Sequence, residues 1–208
     1  MIKKTEGGLV MKSLKNQKGF TLIELAIVLV IIGIILGAVL KGKDLIENAR
    51  AKRFISDVKQ FEIISWTFFD RKGYFPGAEK NDPIIDDDPK DDIVNKGKFI
   101  DAPTTNALSI GSYTFYVWLG NDGTSTPKNI IAVTNSNTSP GVFSDAELAY
   151  MEAFDTSIDG SADGASGRVR AATDATVNSA TWLVTSPTVS GDWSSATTKA
   201  LIYYFDRK

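Results

Sequence analysis

Residues 20–40 form an apolar run in which only Thr21 and Glu24 are polar. Wound as a helix at 1.5 Å per residue, the run is roughly 30 Å long, the thickness of a bilayer's hydrocarbon core. A helix apolar on every side cannot be satisfied by one buried stripe, so this one calls for lipid or for other helices like itself. Glu24 sharpens the constraint. A carboxylate within a membrane span is costly unless a cation or hydrogen-bond donors meet it, so its presence demands a partner. The run ends in Leu40-Lys41-Gly42-Lys43, without the small-residue cleavage site of an ordinary secretory signal.

The run is entered through Lys18-Gly19 and opens Phe20-Thr21-Leu22-Ile23-Glu24-Leu25. This pattern resembles the N-terminal signature of type IV prepilins and type II secretion pseudopilins, most densely over residues 18–36. The resemblance implies that a membrane peptidase cuts between Gly19 and Phe20 and methylates the new N-terminal Phe20. Glu24 then becomes the fifth residue of the mature chain. Its physical chemistry fits that role, because the Phe20 amine of an incoming subunit and Glu24 of its neighbour would neutralise one another and select a single axial register. The plain alternative is a single-pass anchor with a chance glutamate. Residues 1–19 are expected to be the leader. Leaders in this family are short and basic, so translation is expected to start at Met11, which leaves nine residues with three Lys. Positive charge there stays on the cytoplasmic side and sends the C-terminus outward.

Charge and composition narrow the function. The leader holds five Lys and one Glu, so its removal leaves 18 basic and 24 acidic residues, a net charge of −6. Nucleic-acid-gripping surfaces are basic, so nucleic acid is a disfavoured partner. There is no Cys and no His. Their absence removes disulfides, Ser-His and Cys-His catalysis and the commonest zinc ligands. No pair of carboxylates stands out as an acid and a base, and an enzyme is not expected.

Beyond the apolar run, residues 41–71 contain no Pro; Ala51, Phe54, Val58, Phe61, Ser65 and Phe68 recur at three- and four-residue spacing, and charged residues such as Lys52, Asp57, Lys59 and Glu62 occupy much of the remaining, solvated face. This predicts one long helix over 21–71, ended by Gly73, Pro76 and Gly77. Pilins commonly carry a Pro just past the membrane run; here Gly33, Gly37 and Gly42 take its place and suit close helix packing. Residues 77–106 read as a polar connection, with six Asp between Asp82 and Asp92 that suit either a solvated loop or a cation- or partner-facing one. Strands are expected over 113–119, 128–134, 167–172, 182–185 and 199–205, with Asn121-Asp122-Gly123 as a turn. Ser144 and Glu147 form a capping box that starts a helix over about 145–156. The expected organisation is a leader at 1–19, a transmembrane and filament-core helix at 20–41, its amphipathic continuation at 42–72 and an α+β head at 73–208. Its fold class is pilin-like: a long helix packed on an antiparallel sheet.

Asp155, Asp159 and Asp163 alternate with Gly160 and Gly164. Such a segment either gathers oxygen ligands around calcium or forms turns through side-chain-to-backbone hydrogen bonds. Major pseudopilins of type II secretion hold a C-terminal loop with calcium, so the resemblance makes calcium the candidate cofactor. The resemblance also implies the partners: prepilin peptidase, copies of this chain or sister subunits, and an inner-membrane assembly platform. It implies an inner-membrane precursor with a periplasmic head, later part of a filament. Pilus subunit and pseudopilin match equally at the N-terminus. The other reading is a minor pilin for adhesion or DNA uptake. In that reading the Thr/Ser/Asn-rich stretch 121–139 and the aromatics Trp182 and Trp193 line a carbohydrate site.

Overall fold

A computed structural model describes residues 19–99, 102–189 and 191–206. The leader and its Met11 start therefore lie outside the described residues, apart from Gly19. The first helix, α1, spans Leu22–Lys72 without interruption. It stops where expected, with Gly73 in the left-handed region at φ 84° donating its N–H to the Phe69 carbonyl. The chain divides into an N-terminal unit, Met1–Leu45, and a head, Ile46–Lys208.

In the N-terminal unit every described residue from 19 to 41 is exposed. Nothing in the unit covers Leu22, Leu29 or Ile34, each more than two-thirds exposed. This part of α1 is long and apolar enough to cross a membrane.

In the head, α1 changes character. Phe54, Val58, Phe61, Ile64, Ser65 and Phe68 form its buried stripe. Ser65 sits there without penalty because its hydroxyl donates to the Phe61 carbonyl at 2.8 Å. Each buried phenylalanine contributes about 1.5–3 kcal/mol relative to exposure. Lys59 and Glu62, expected on the solvated face, are instead half-buried. Both join the Tyr203 hydroxyl at 2.8 and 2.9 Å as well as each other at 2.8 Å. Burial works against the Lys59 charge, but hydrogen bonds to Glu62 and Tyr203 outweigh it and hold the ammonium above its usual pKa.

The polar connection is more structured than its composition suggests. Asp88 caps a one-turn helix, α2 (Pro89–Asp91), which runs into a π-helical turn, Asp92–Lys96. Asp92 is buried, taking the Gly77 N–H at 2.8 Å and pairing with Lys96 at 2.9 Å. Ile85 and Ile93 anchor the segment in the core. The helix α3 spans Asp145–Asp159, one turn longer than expected. The Ser144–Glu147 capping box starts it and Gly160 at φ 86° ends it.

Six strands complete the head: β1 (Ala107–Ile110), β2 (Tyr113–Asn121), β3 (Asn129–Thr134), β4 (Val169–Asn178), β5 (Leu183–Val189) and β6 (Ala200–Tyr203). The five expected strands are present with shifted ends. The four-residue β1, folded back on β2 by the turn at Gly111, is additional. The order is β1-β2-β3-β6-β4-β5, and β5 returns to pair with β2. That last ladder is parallel, Leu119 opposite Leu183 and Gly120 opposite Val184, which corrects the expectation of a purely antiparallel sheet. Closure on β2 gives β5 a partner on both sides and removes an exposed edge. It requires glycine at 120, because a Cβ there would overlap the Val184 carbonyl oxygen. The α+β layout, a long helix followed by a sheet-rich head, is as the sequence predicts.

Candidate processing and assembly site

Gly19 and Phe20 precede α1 in exposed chain without regular secondary structure. Phe20 is 83% exposed, and a Cβ built on Gly19 would meet no atom within 4 Å. An enzyme reaching this peptide bond therefore meets no steric cover from the chain's described residues.

Immediately downstream, Thr21 and Glu24 engage one another. The Thr21 backbone N–H and hydroxyl both donate to Glu24 Oε2, at 2.8 and 2.9 Å. The Glu24 N–H donates in return to the Thr21 hydroxyl oxygen at 3.3 Å, and the Leu25 N–H reaches the Thr21 carbonyl at 3.2 Å. This is a capping box, Thr-x-x-Glu, satisfying N–H groups that the first turn of a helix otherwise leaves unpaired. A carboxylate in the first turn also faces the positive end of the helix dipole. Glu24 thus has an intrachain partner that sequence reasoning missed. The signal was legible, since the same Thr/Ser-x-x-Glu spacing located Ser144 and Glu147. Both bonds fall on Oε2, so Oε1 remains open, among the described residues, to a donor from another chain.

The three aspartates of the candidate calcium segment lie near one another but are directed at different tasks. Asp155 is fully buried on α3, and its Oδ2 accepts the Asp163 N–H and the Trp193 indole N–H, each at 2.8 Å. Asp159 Oδ2 accepts the Arg168 and Val169 N–H groups at 2.7 and 2.9 Å, which fixes the start of β4. Asp163 accepts the Ala165 N–H at 3.0 Å and the Ser166 hydroxyl. Among the described residues no group of three or more carboxylates is placed to hold a metal ion. Backbone N–H groups and the Trp193 indole take up Oδ2 of Asp155 and of Asp159, while the buried Asp155 Oδ1 has no hydrogen-bond partner among the described residues. Burial pushes the Asp155 carboxyl above its usual pKa despite bonds from Trp193 and Asp163, and Asp159 and Asp163 push the same way.

The two tryptophans put forward for a ligand site both contact the head's own residues. Trp182 is buried edge-on against Phe61, and its carbonyl accepts the Leu119 N–H that helps close the sheet. Trp193 is tied to Asp155 through its indole nitrogen.

Comparison with known families matches residues 14–40 to the prokaryotic N-terminal methylation motif. The chain carries the prepilin-type cleavage and methylation signal found in type IV pilins and pseudopilins. The match covers Gly19, Phe20, Thr21 and Glu24 and none of the head. Neither the curated proteins nor the solved structures provide a match.

Proposed function

We propose that this chain is a structural subunit of a type IV pilus or a type II secretion pseudopilus. In this reading prepilin peptidase cuts between Gly19 and Phe20 and methylates the new Phe20 amine. The first half of α1 holds the subunit in the inner membrane with its head in the periplasm. An inner-membrane platform then draws it into a filament with copies of itself or sister subunits. The observation that supports this best is the methylation motif lying on an exposed, all-round apolar helix start.

Assembly chemistry follows from the cap. Glu24 Oε2 closes the first turn of its own helix, while Oε1 accepts no hydrogen bond from the described residues. The Phe20 ammonium of an incoming subunit satisfies that oxygen, and the incoming cation loses its own desolvation cost in the same contact. The pair forms at one axial offset only, so it sets register as well as attraction.

Two substitutions separate capping from charge pairing. Glu24→Gln keeps an oxygen acceptor at the third helical position, where glutamine also completes a capping box. Glu24→Ala removes both functions. The expectation is that both variants insert in the membrane and are cleaved, and that both fail to form filaments. Wild-type filament yield from Glu24→Gln, scored by shearing and immunoblot, would refute the ion-pair mechanism and leave capping alone. Deleting the gene and comparing secreted proteins with surface filaments assigns the machine. Lost secretion marks a pseudopilin, and lost pili mark a pilus subunit.

A further inference from the structure

At one end of the head an open cleft of about 660 Å³ lies between the β2–β3 hairpin, the start of β4 and the chain leaving β6. Its size falls within the range of small-ligand sites, roughly 300–1,000 Å³. Its walls are held by bonds that a bare surface loop lacks. Asp122 Oδ1 accepts the Thr124 hydroxyl at 3.0 Å and the Lys128 N–H at 3.1 Å, which pins the hairpin. Asp159, outside the cleft, fixes the first residues of β4. Arg168 donates from Nε to the Tyr204 carbonyl at 3.2 Å and from Nη2 to the Tyr203 hydroxyl at 3.1 Å, which ties β4 to the end of β6.

Within this frame two cations are left over. Arg170 spends Nε on the Gly167 carbonyl at 3.1 Å and its charge acts on Asp163, but it enters no ion pair among the described residues. Lys128 Nζ enters none of the ion pairs among the described residues. Half-buried Tyr204 lines the cleft with them, and Asp122 and Arg170 are both close enough to act on its hydroxyl. Asp122 and Asp206 line the same cleft.

This mixture selects its ligand. Two carboxylates in the lining repel a compact dianion such as phosphate. Two cations outside any ion pair, one a guanidinium able to grip both oxygens of a carboxylate, favour delocalised carboxylate charge, one group per ring, over a compact dianion. A tyrosine ring offers an apolar face with a polar tip, suited to the C–H face of a sugar ring with hydroxyls at its rim. A single nucleic-acid strand needs a run of cations and stacked aromatics, and this cleft has one ring between acids. We propose that the cleft binds an acidic saccharide, a sugar bearing a carboxylate, with Arg170 and Lys128 pairing the carboxylate and Tyr204 packing on the ring.

The test is calorimetric titration of the full processed chain, in amine-oxide micelles, with trigalacturonate, neutral cellotriose and inorganic phosphate. Trigalacturonate is expected to bind with a Kd below about 1 mM. Arg170→Gln and, separately, the exposed-loop variant Lys128→Gln are each expected to weaken it by about tenfold, with unchanged melting curves. Raised salt is expected to weaken binding further. No binding of trigalacturonate, equal binding of cellotriose, phosphate binding as tight as trigalacturonate, or wild-type affinity in both folded variants would each overturn the proposal. Binding is read on unassembled subunits, so its failure leaves the filament assignment standing, and failure of assembly leaves the cleft standing.

Discussion

Gly120→Ala tests how the head closes. Gly120 lies in β2 opposite Ile130 of β3 on one side and Val184 of β5 on the other. A Cβ at this position would overlap the Val184 carbonyl oxygen and stand 2.8 Å from its carbonyl carbon and 2.9 Å from its Cγ1. Unstrained carbon contacts lie at about 3.5 Å, and two of these atoms are backbone, so no rotamer change relieves the clash. The β5 strand must move off β2. That costs the 3.0 Å bond from the Leu119 N–H to the Trp182 carbonyl, along with the two-residue parallel ladder. At about 0.5–1.5 kcal/mol per hydrogen bond and about 1–3 kcal/mol for overpacking, the loss is about 2–5 kcal/mol. For a domain of this size that lowers Tm by roughly 5–15 °C. All four tryptophans lie in the head, so near-ultraviolet circular dichroism of the micellar chain follows its melting directly. Gly141→Ala is the control, since the nearest atom to its Cβ would be 3.6 Å away. A Gly120→Ala head melting within about 2 °C of wild type would show that closure on β2 does not contribute to stability as reasoned.

Two further outcomes follow from the core and from its one unusual acid. Phe54→Ala removes a fully buried ring packed at 5.0 Å from Phe115 and 5.9 Å from Tyr150, and is expected to cost about 3–5 kcal/mol in denaturant melts. Exposed Ile63→Ala on the same helix should stay within about 0.5 kcal/mol. Asp155, its pKa raised by burial and by Asp159 and Asp163, holds its proton more tightly folded than unfolded. Its contribution is fully present below the ordinary aspartate pKa and is lost as pH rises through the raised folded value. The stability of wild type relative to Asp155→Asn should therefore fall as pH rises from the ordinary aspartate pKa toward neutrality. A difference that stays constant across that window would contradict the assignment.

Much of this molecule was legible in one dimension because the forces involved are local or periodic. Twenty-one consecutive residues with two polar members can only be an exposed or membrane-borne helix start, whatever the head does. The 3–4 spacing of Phe54, Val58, Phe61 and Phe68 named the buried stripe before any partner was known. Ser144 and Glu147 located α3, because a capping box closes within four residues. The Thr21–Glu24 box was equally local, but a lone carboxylate in an apolar run directs attention to a distant partner and away from its neighbour. Long-range choices were not legible. Nothing near Gly120 announces that β5 will return to it, because the carbonyl that forbids a side chain there belongs to residue 184. Lys59 and Glu62 read as surface charges until Tyr203, far along the chain, supplied the hydroxyl that lets them be half-buried. Asp155, Asp159 and Asp163 read in sequence as either cation ligands or turn formers, and only the fold directs Asp155 and Asp159 to the N–H groups of residues 163, 168 and 169 and to the Trp193 indole. Sequence by itself determined the anchor, the processing motif and the amphipathic spine, since these depend on hydropathy and short-range hydrogen bonds. Tertiary structure alone decided the closed sheet, the duties of the aspartates and the cleft that gathers Lys128, Arg170 and Tyr204, since each depends on groups that meet only when distant strands pair.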